Sequence, residues 1–209
     1  MKICAISDQH GHLPAIPQGI DALFIAGDIC CHGNVHKQLN WLDTTFRYWL
    51  NKIEVPVYAC SGNHDWPMYE KPDQVRELKL PWTYLQDSET EFQGLKIYGT
   101  PHQKKFFDWA FNLDEIELAG KWNLIPDDTD ILICHSPPKY YGDLVQRGTH
   151  EGSESLTWRI QQVRPKLVTF GHIHGGRGVY AIGQTTTLAN VSVVNEKYEM
   201  VHEPWVYEM

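Results

Sequence analysis

The stretch "VPVYACSGNHDW", residues 55–66, carries the pattern that decides the fold. Its first half, Val55 to Cys60, is a short apolar run of the kind that forms a buried strand. Asn63, His64 and Asp65 then arrive together, between Gly62 and Trp66. A turn needs only the glycine and the asparagine. Three polar groups in a row at the end of a core strand are costly without partners. The stretch therefore reads as a buried strand whose carboxyl end carries chemistry.

Similar runs recur outward from it: "KICAIS" (2–7), "ALFIAGD" (22–28), "LKIYGT" (95–100), "ILICHS" (131–136) and "KLVTFGH" (166–172). Each is short and ends at a polar or glycine break. Helical patterns lie between them. Val35, Leu39, Leu42, Phe46, Trp49 and Ile53 repeat at spacings of three and four behind Asn34, an N-cap residue type. Further helices are expected near 114–122 and 153–163. Alternating strands and helices give an α/β fold with much parallel sheet. Residues 178–194 have strand composition with no helix between, so the sheets are expected to be mixed.

The polar residues fall at strand ends. Asp8 and His10 follow the first run, Asp28 the second, Asn63 and His64 the third, His135 the run at 131–136, and His172 and His174 the last. In an open α/β sheet the carboxyl ends of parallel strands line one edge, where ligands bind. Taken singly, each residue has a plain reading as a cap, an Asx turn or a satisfied histidine. Taken together they form a set of carboxylate, imidazole and amide oxygen with no thiolate, which suits Mn²⁺, Fe or Zn²⁺. A set this large exceeds the needs of one ion and suits two ions about 3.5–4 Å apart, as in phosphoryl-transfer sites.

Composition sets the bounds. The chain has 209 residues, 42% of them hydrophobic and 21% charged, consistent with one packed domain over 1–209. A net charge of -8 argues against long nucleic acid as the main partner, because such binders carry a basic face. No run approaches the roughly 20 apolar residues of a membrane span. Five cysteines, an odd number with no CxxC pair, are expected as free thiols in a reducing cytoplasm.

The order Asp8-Gln9-His10, Gly27-Asp28, Gly62-Asn63-His64-Asp65, His135 and Gly171-His172-Ile173-His174 resembles the calcineurin-like metallophosphoesterase superfamily. The stretches "GLKIYGTP", "KWNLIPDDTDILICHSPP" and "FGHIHGGRG" resemble its metallophosphoesterase-domain branch, which is similar to the class III cyclic nucleotide phosphodiesterases. Some members of that branch carry glycine at the first histidine of the GHxH motif; here His172 is present.

The resemblance implies a four-layer α-β-β-α sandwich of two mixed sheets flanked by helices. It implies a first divalent ion held by Asp8, His10, Asp28 and His174, and a second held by Asp28, Asn63, His135 and His172, with Asp28 bridging. Mn²⁺ is the expected metal, with Fe, Zn²⁺ or Ni²⁺ as alternatives. His64 is not a ligand in the family. It faces the substrate, as acid to the leaving oxygen or as a phosphate clamp, with Asp65 expected to orient it. Ser/Thr protein phosphatases continue the GD motif with xxDRG, but this chain reads "GDICCHG", so His32 stands where the phosphate-gripping arginine would be.

The implied activity is hydrolysis of small phosphodiesters, cyclic nucleotides (2′,3′ or 3′,5′) foremost, by water activated between two cations. Phosphomonoesterase or nuclease action on short nucleic-acid ends is the alternative. A non-catalytic scaffold would show eroded ligands, and none is eroded. Substrate contacts are sought at His12, His102, Arg147 and His150. Phe106, Phe107, Trp109 and Phe111 read first as packing residues; the alternative is an aromatic, basic rim able to stack a base.

Overall fold

The computed structural model describes residues 1–209. In chain order the strands and helices begin with β1 (Lys2–Ile6), β2 (Ala22–Ala26), α1 (Val35–Trp41) and α2 (Arg47–Leu50). There follow β3 (Val57–Cys60), α3 (Trp66–Glu70), α4 (Pro72–Glu77), β4 (Thr83–Tyr84), β5 (Ser88–Phe92) and β6 (Leu95–Thr100). The centre of the chain forms β7 (Gln103–Lys104), β8 (Asn112–Leu113), α5 (Glu115–Trp122) and β9 (Ile131–Cys134). The last elements are α6 (Glu154–Val163), β10 (Leu167–Phe170), β11 (Gly178–Ile182), β12 (Thr186–Asn190) and β13 (Trp205–Glu208).

Two mixed sheets result, one ordered β13-β1-β2-β3-β4 and the other β11-β12-β10-β9-β6-β5. Alternation along each strand sorts the core into three layers. Ile3, Ala5, Phe24, Ala26 and Tyr58 face across to Ile97, Ile131, Ile133, Leu167 and Ala189, filling the space between the sheets. The intervening residues of the first sheet, Cys4, Ile6, Leu23, Ile25 and Ala59, pack on Leu42, Phe46 and Leu50. Those of the second, Leu132, Cys134, Val168, Phe170 and Leu188, pack on Leu118 and Trp122 of α5 and Leu156 and Ile160 of α6. Near-continuous burial on both faces explains why these strands read as unbroken apolar runs.

The helix expected over 35–53 ends at Leu50 and contains a π-helical turn, Leu42–Phe46. Its fully buried side chains are Leu42, Phe46 and Leu50, spaced by four. Asn34 caps it, its side chain accepting from the Lys37 N–H at 3.0 Å. Asp114 and Glu117 form a reciprocal capping box on α5, and Ser153 caps α6. All five cysteines are free. No helix is long and apolar enough to cross a membrane.

Candidate dinuclear metal centre

Strands β1, β2 and β3 run parallel, as do β6, β9, β10 and β12. The carboxyl ends of both sets open onto one edge of the sandwich. There the structure brings Asp8, His10, Asp28, Asn63, His135, His172 and His174 together. The chain turns sharply at each strand end. Asp8, His10, Asp28 and His172 all have left-handed backbones, with φ between 44° and 68°. Non-glycine residues in that region cost about 1–3 kcal/mol each and persist where the surroundings over-determine them.

The glycines that precede the ligand-type residues have a specific reason. A Cβ on Gly62 would sit 2.6 Å from Asp28 N and 2.6 Å from His135 Cε1. One on Gly171 would collide with Asp8 Oδ2 and Ser7 Oγ. Backbone must pass this close for two sheets to feed one site.

Two of the histidines are aimed by their second nitrogen. His135 Nδ1–H donates to the Ala26 carbonyl at 2.9 Å, which turns Nε2 to within 3.1 Å of Asn63 Oδ1 and 3.4 Å of Asp28 Oδ2. His174 Nδ1–H donates to the Asn195 carbonyl at 3.0 Å, leaving Nε2 3.3 Å from His10 Nε2 and 3.6 Å from Asp8 Oδ1. His172 Nδ1 lies 2.8 Å from Asn63 Oδ1.

The donor set fits cations on its own chemistry. Asp8 and Asp28 are 0% and 2% exposed, and their only ion partners are imidazoles. Two buried carboxylates without a lysine or arginine are expensive unless a cation sits between them. Burial, opposed only partly by Asp28 and Asp8, holds His10 down at about 3; burial and the charge of His135 hold His172 at about 4. Both rings are therefore neutral, whereas against burial Asp28 draws His135 up to about 9 and Asp8 raises His174, positive charge that bound cations would replace. Burial would raise Asp8 and Asp28, but His174 holds Asp8 at about 2, and His135 and His64 hold Asp28 well below the carboxylate range. The site is built for ionised carboxylates.

His64 lies beside this set and faces a cleft of about 630 Å³. Its backbone is anchored at both ends: its N–H donates to Asp28 Oδ1 at 2.8 Å, and its carbonyl accepts from Gln38 Nε2 at 2.9 Å. Its ring rests on Trp109, centroids 4.2 Å apart.

Asp65 does not reach that ring. Its Oδ1 accepts from the N–H groups of Ile29 (2.9 Å) and Cys30 (2.8 Å), and its Oδ2 from that of Gly62 (2.8 Å). Those bonds use the carboxylate to stitch the loop after β2 to the loop after β3, so bracing replaces the orienting role expected for it. Burial and the nearby Asp28 push Asp65 up to about 6, and those three donors oppose the rise.

The structure separates the remaining candidates. Arg147 lines the cleft, paired with Glu151 at 2.5 Å. His102 is buried and turned to Asp87 at 2.9 Å, and His150 is held by Asp143 at 2.7 Å. His12 donates from Nε2 to the Tyr198 carbonyl at 3.0 Å. None of these three lines the cleft. Lys104, Lys105, Phe106, Phe107 and Trp109 do, forming one wall. Phe106 and Phe107 are 55% and 74% exposed, so packing, the first reading of these two, gives way to the rim; Phe111 alone is core. Sequence reasoning missed Tyr198, which also lines the cleft.

The calcineurin-like phosphoesterase family matches residues 1–176 of the chain. The chain belongs to that family. Members are dinuclear metal-dependent phosphoesterases, and the clustered carboxylates and histidines of this chain fit that requirement. It is 43% identical to human "Metallophosphoesterase domain-containing protein 1" over 143 residues, covering 67% of this chain and 44% of the human protein. It is 24% identical to a Synechococcus protein described as a probable cyclic nucleotide phosphodiesterase, over 76% of this chain and 61% of the relative. The chain thus spans about half the length of these curated relatives. The crystal structure of TT1561 from Thermus thermophilus superposes with a TM-score of 0.62 at 17% identity, covering 90% of this chain and 88% of the other, and shares the fold.

Proposed function

We propose that the chain is a metal-dependent phosphodiesterase acting on small phosphodiesters, cyclic nucleotides (2′,3′ or 3′,5′) foremost. The observation that carries this reading is the cleft. Its floor holds Asp28, Asn63, His172 and His174 beside His64, and one wall offers Lys104, Lys105 and three aromatic rings. About 630 Å³ accommodates a nucleotide-sized ligand. The exposed rings of Phe106 and Phe107 suit a base, since stacking needs only a π face. The Synechococcus relative's description points the same way.

In this reading Asp8, His10, Asp28 and His174 hold one divalent ion, Asp28, Asn63, His135 and His172 hold the other, and Asp28 is shared. Manganese is the favoured metal, because imidazole-rich oxygen sites suit it better than magnesium; Fe, Zn²⁺ and Ni²⁺ also fit the donors. When bound, such a pair supplies an acidified water and neutralises charge on the phosphoryl oxygens. The protein's own part is positioning. His64, fixed by its backbone to Asp28 and Gln38 and by its ring to Trp109, donates a proton to the departing alkoxide. Five free thiols support a reducing, cytoplasmic setting.

The test is a comparison of kcat/KM for bis-p-nitrophenyl phosphate, p-nitrophenyl phosphate and a panel of cyclic nucleotides with Mn²⁺ present. The reading requires the diester to exceed the monoester and at least one cyclic nucleotide to be opened. A tenfold preference for the monoester would make the chain a phosphomonoesterase, with unpaired Lys104 and Lys105 gripping the extra charge.

A further inference from the structure

The family match ends at residue 176, yet the cleft does not. Val194 and Met200 form an isolated antiparallel bridge, and the turn between them is built by Asn195. The Asn195 side-chain oxygen accepts from the N–H groups of Lys197 (2.9 Å) and Glu199 (3.1 Å), while its carbonyl accepts from Tyr198 N at 2.9 Å. The same carbonyl orients His174. One residue thus fixes a metal-ligand histidine and the turn that carries Tyr198.

Tyr198 is held in a left-handed backbone, φ 62°, and its carbonyl is pinned by His12. Its ring centroid lies 4.7 Å from that of His10, 5.2 Å from His174, 5.4 Å from His32 and 6.2 Å from His64. The contacts with His10 and His174 are edge-on, at 79° and 88°. These imidazoles gather round the ring, which stays 39% exposed. Tyr198 lines the cleft, and its hydroxyl has no hydrogen-bond partner in the protein. A strained, doubly pinned turn thus holds Tyr198 against the cleft with its hydroxyl free to meet a ligand.

We propose that Tyr198 is a substrate-contact residue whose phenol O–H donates a hydrogen bond to a non-bridging oxygen of the bound phosphoryl group. The inference rests on the phosphodiesterase reading of the same cleft. A neutral donor suits that substrate class. A diester carries a single negative charge, and a hydroxyl adds orientation without adding positive charge to a floor whose residues would hold two cations.

The test uses Mn²⁺-loaded wild type and Tyr198→Phe, which keeps the ring and removes the donor. Three quantities are read: bound metal per chain, kcat/KM for bis-p-nitrophenyl phosphate, and the affinity for inorganic phosphate by calorimetry. The expected result is unchanged metal content, kcat/KM lowered about three- to tenfold, the scale of one neutral hydrogen bond, and phosphate binding weakened by a similar factor. Tyr198→Phe equal to wild type in both kinetics and phosphate affinity would overturn the proposal. So would loss of metal from Tyr198→Phe, because the hydroxyl would then serve the metal ligands. If wild type hydrolyses no diester, the phosphodiesterase reading fails by itself, and the phosphate titration still decides the role of Tyr198.

Discussion

Replacing Asp65 by asparagine separates bracing from catalysis. The carboxylate takes three buried backbone donors at 2.8–2.9 Å. An asparagine oxygen at the Oδ1 position keeps Ile29 and Cys30 but makes both bonds neutral, a loss of about 1 kcal/mol each. The new amide then meets Gly62 N–H donor to donor, and a buried unsatisfied donor costs about 1–3 kcal/mol. Relief of repulsion with Asp28 offsets part of this. The net expectation is a destabilisation of about 2–4 kcal/mol, or a fall in Tm of about 4–16 °C for a chain of this size. The assay is thermal unfolding of the metal-loaded protein, with kcat measured well below both transitions at saturating Mn²⁺. Asp65→Asn should show the lowered Tm and keep kcat within tenfold. An unchanged Tm with kcat reduced a hundredfold or more would refute the bracing assignment and return Asp65 to His64 as its orienting group.

His64→Ala should retain its bound metal and lose on the order of 10²–10⁴ in kcat, the usual scale of acid–base help; an emptied metal site would show that His64 is a ligand. Gly171→Ala touches no ligand by name, yet its new Cβ collides with Asp8 Oδ2 and Ser7 Oγ. Metal affinity, read by competition with a chromophoric chelator, should fall about 10–100-fold, as when the support of a ligand is disturbed; wild-type affinity would show that this backbone has room to give.

Much of the fold was legible because the six runs that begin both sheets are buried on two faces and leave unbroken apolar stretches. The strands that escaped notice are edge strands. Ser88–Phe92, largely exposed and polar, is an edge of the second sheet, and Trp205–Glu208 forms an edge of the first by pairing with Lys2–Ala5, a contact between residues far apart in sequence. Neither leaves a local signal. The candidate metal ligands were legible for the opposite reason, since polar residues at the ends of core strands have no local use. Asp65 misled because its neighbour in sequence is His64, whereas its partners, Ile29 and Cys30, lie on another loop. Tyr198 gave no sign, because its place depends on Asn195, His12 and His174 at once. His102 and His150 follow strands or loops as the ligands do, but each is paired with an aspartate, Asp87 and Asp143 respectively, a pairing that only the folded chain reveals.

The central claim is a pair of ions sharing Asp28, and elemental analysis of wild type against Asp28→Ala tests it most directly. After loading with Mn²⁺ and removal of the excess, the wild type should retain two ions per chain and lose its diesterase activity to a chelator. Asp28→Ala should retain neither ion and turn over nothing measurable. Two ions still bound in Asp28→Ala, or full wild-type activity in excess chelator after dialysis, would contradict the account.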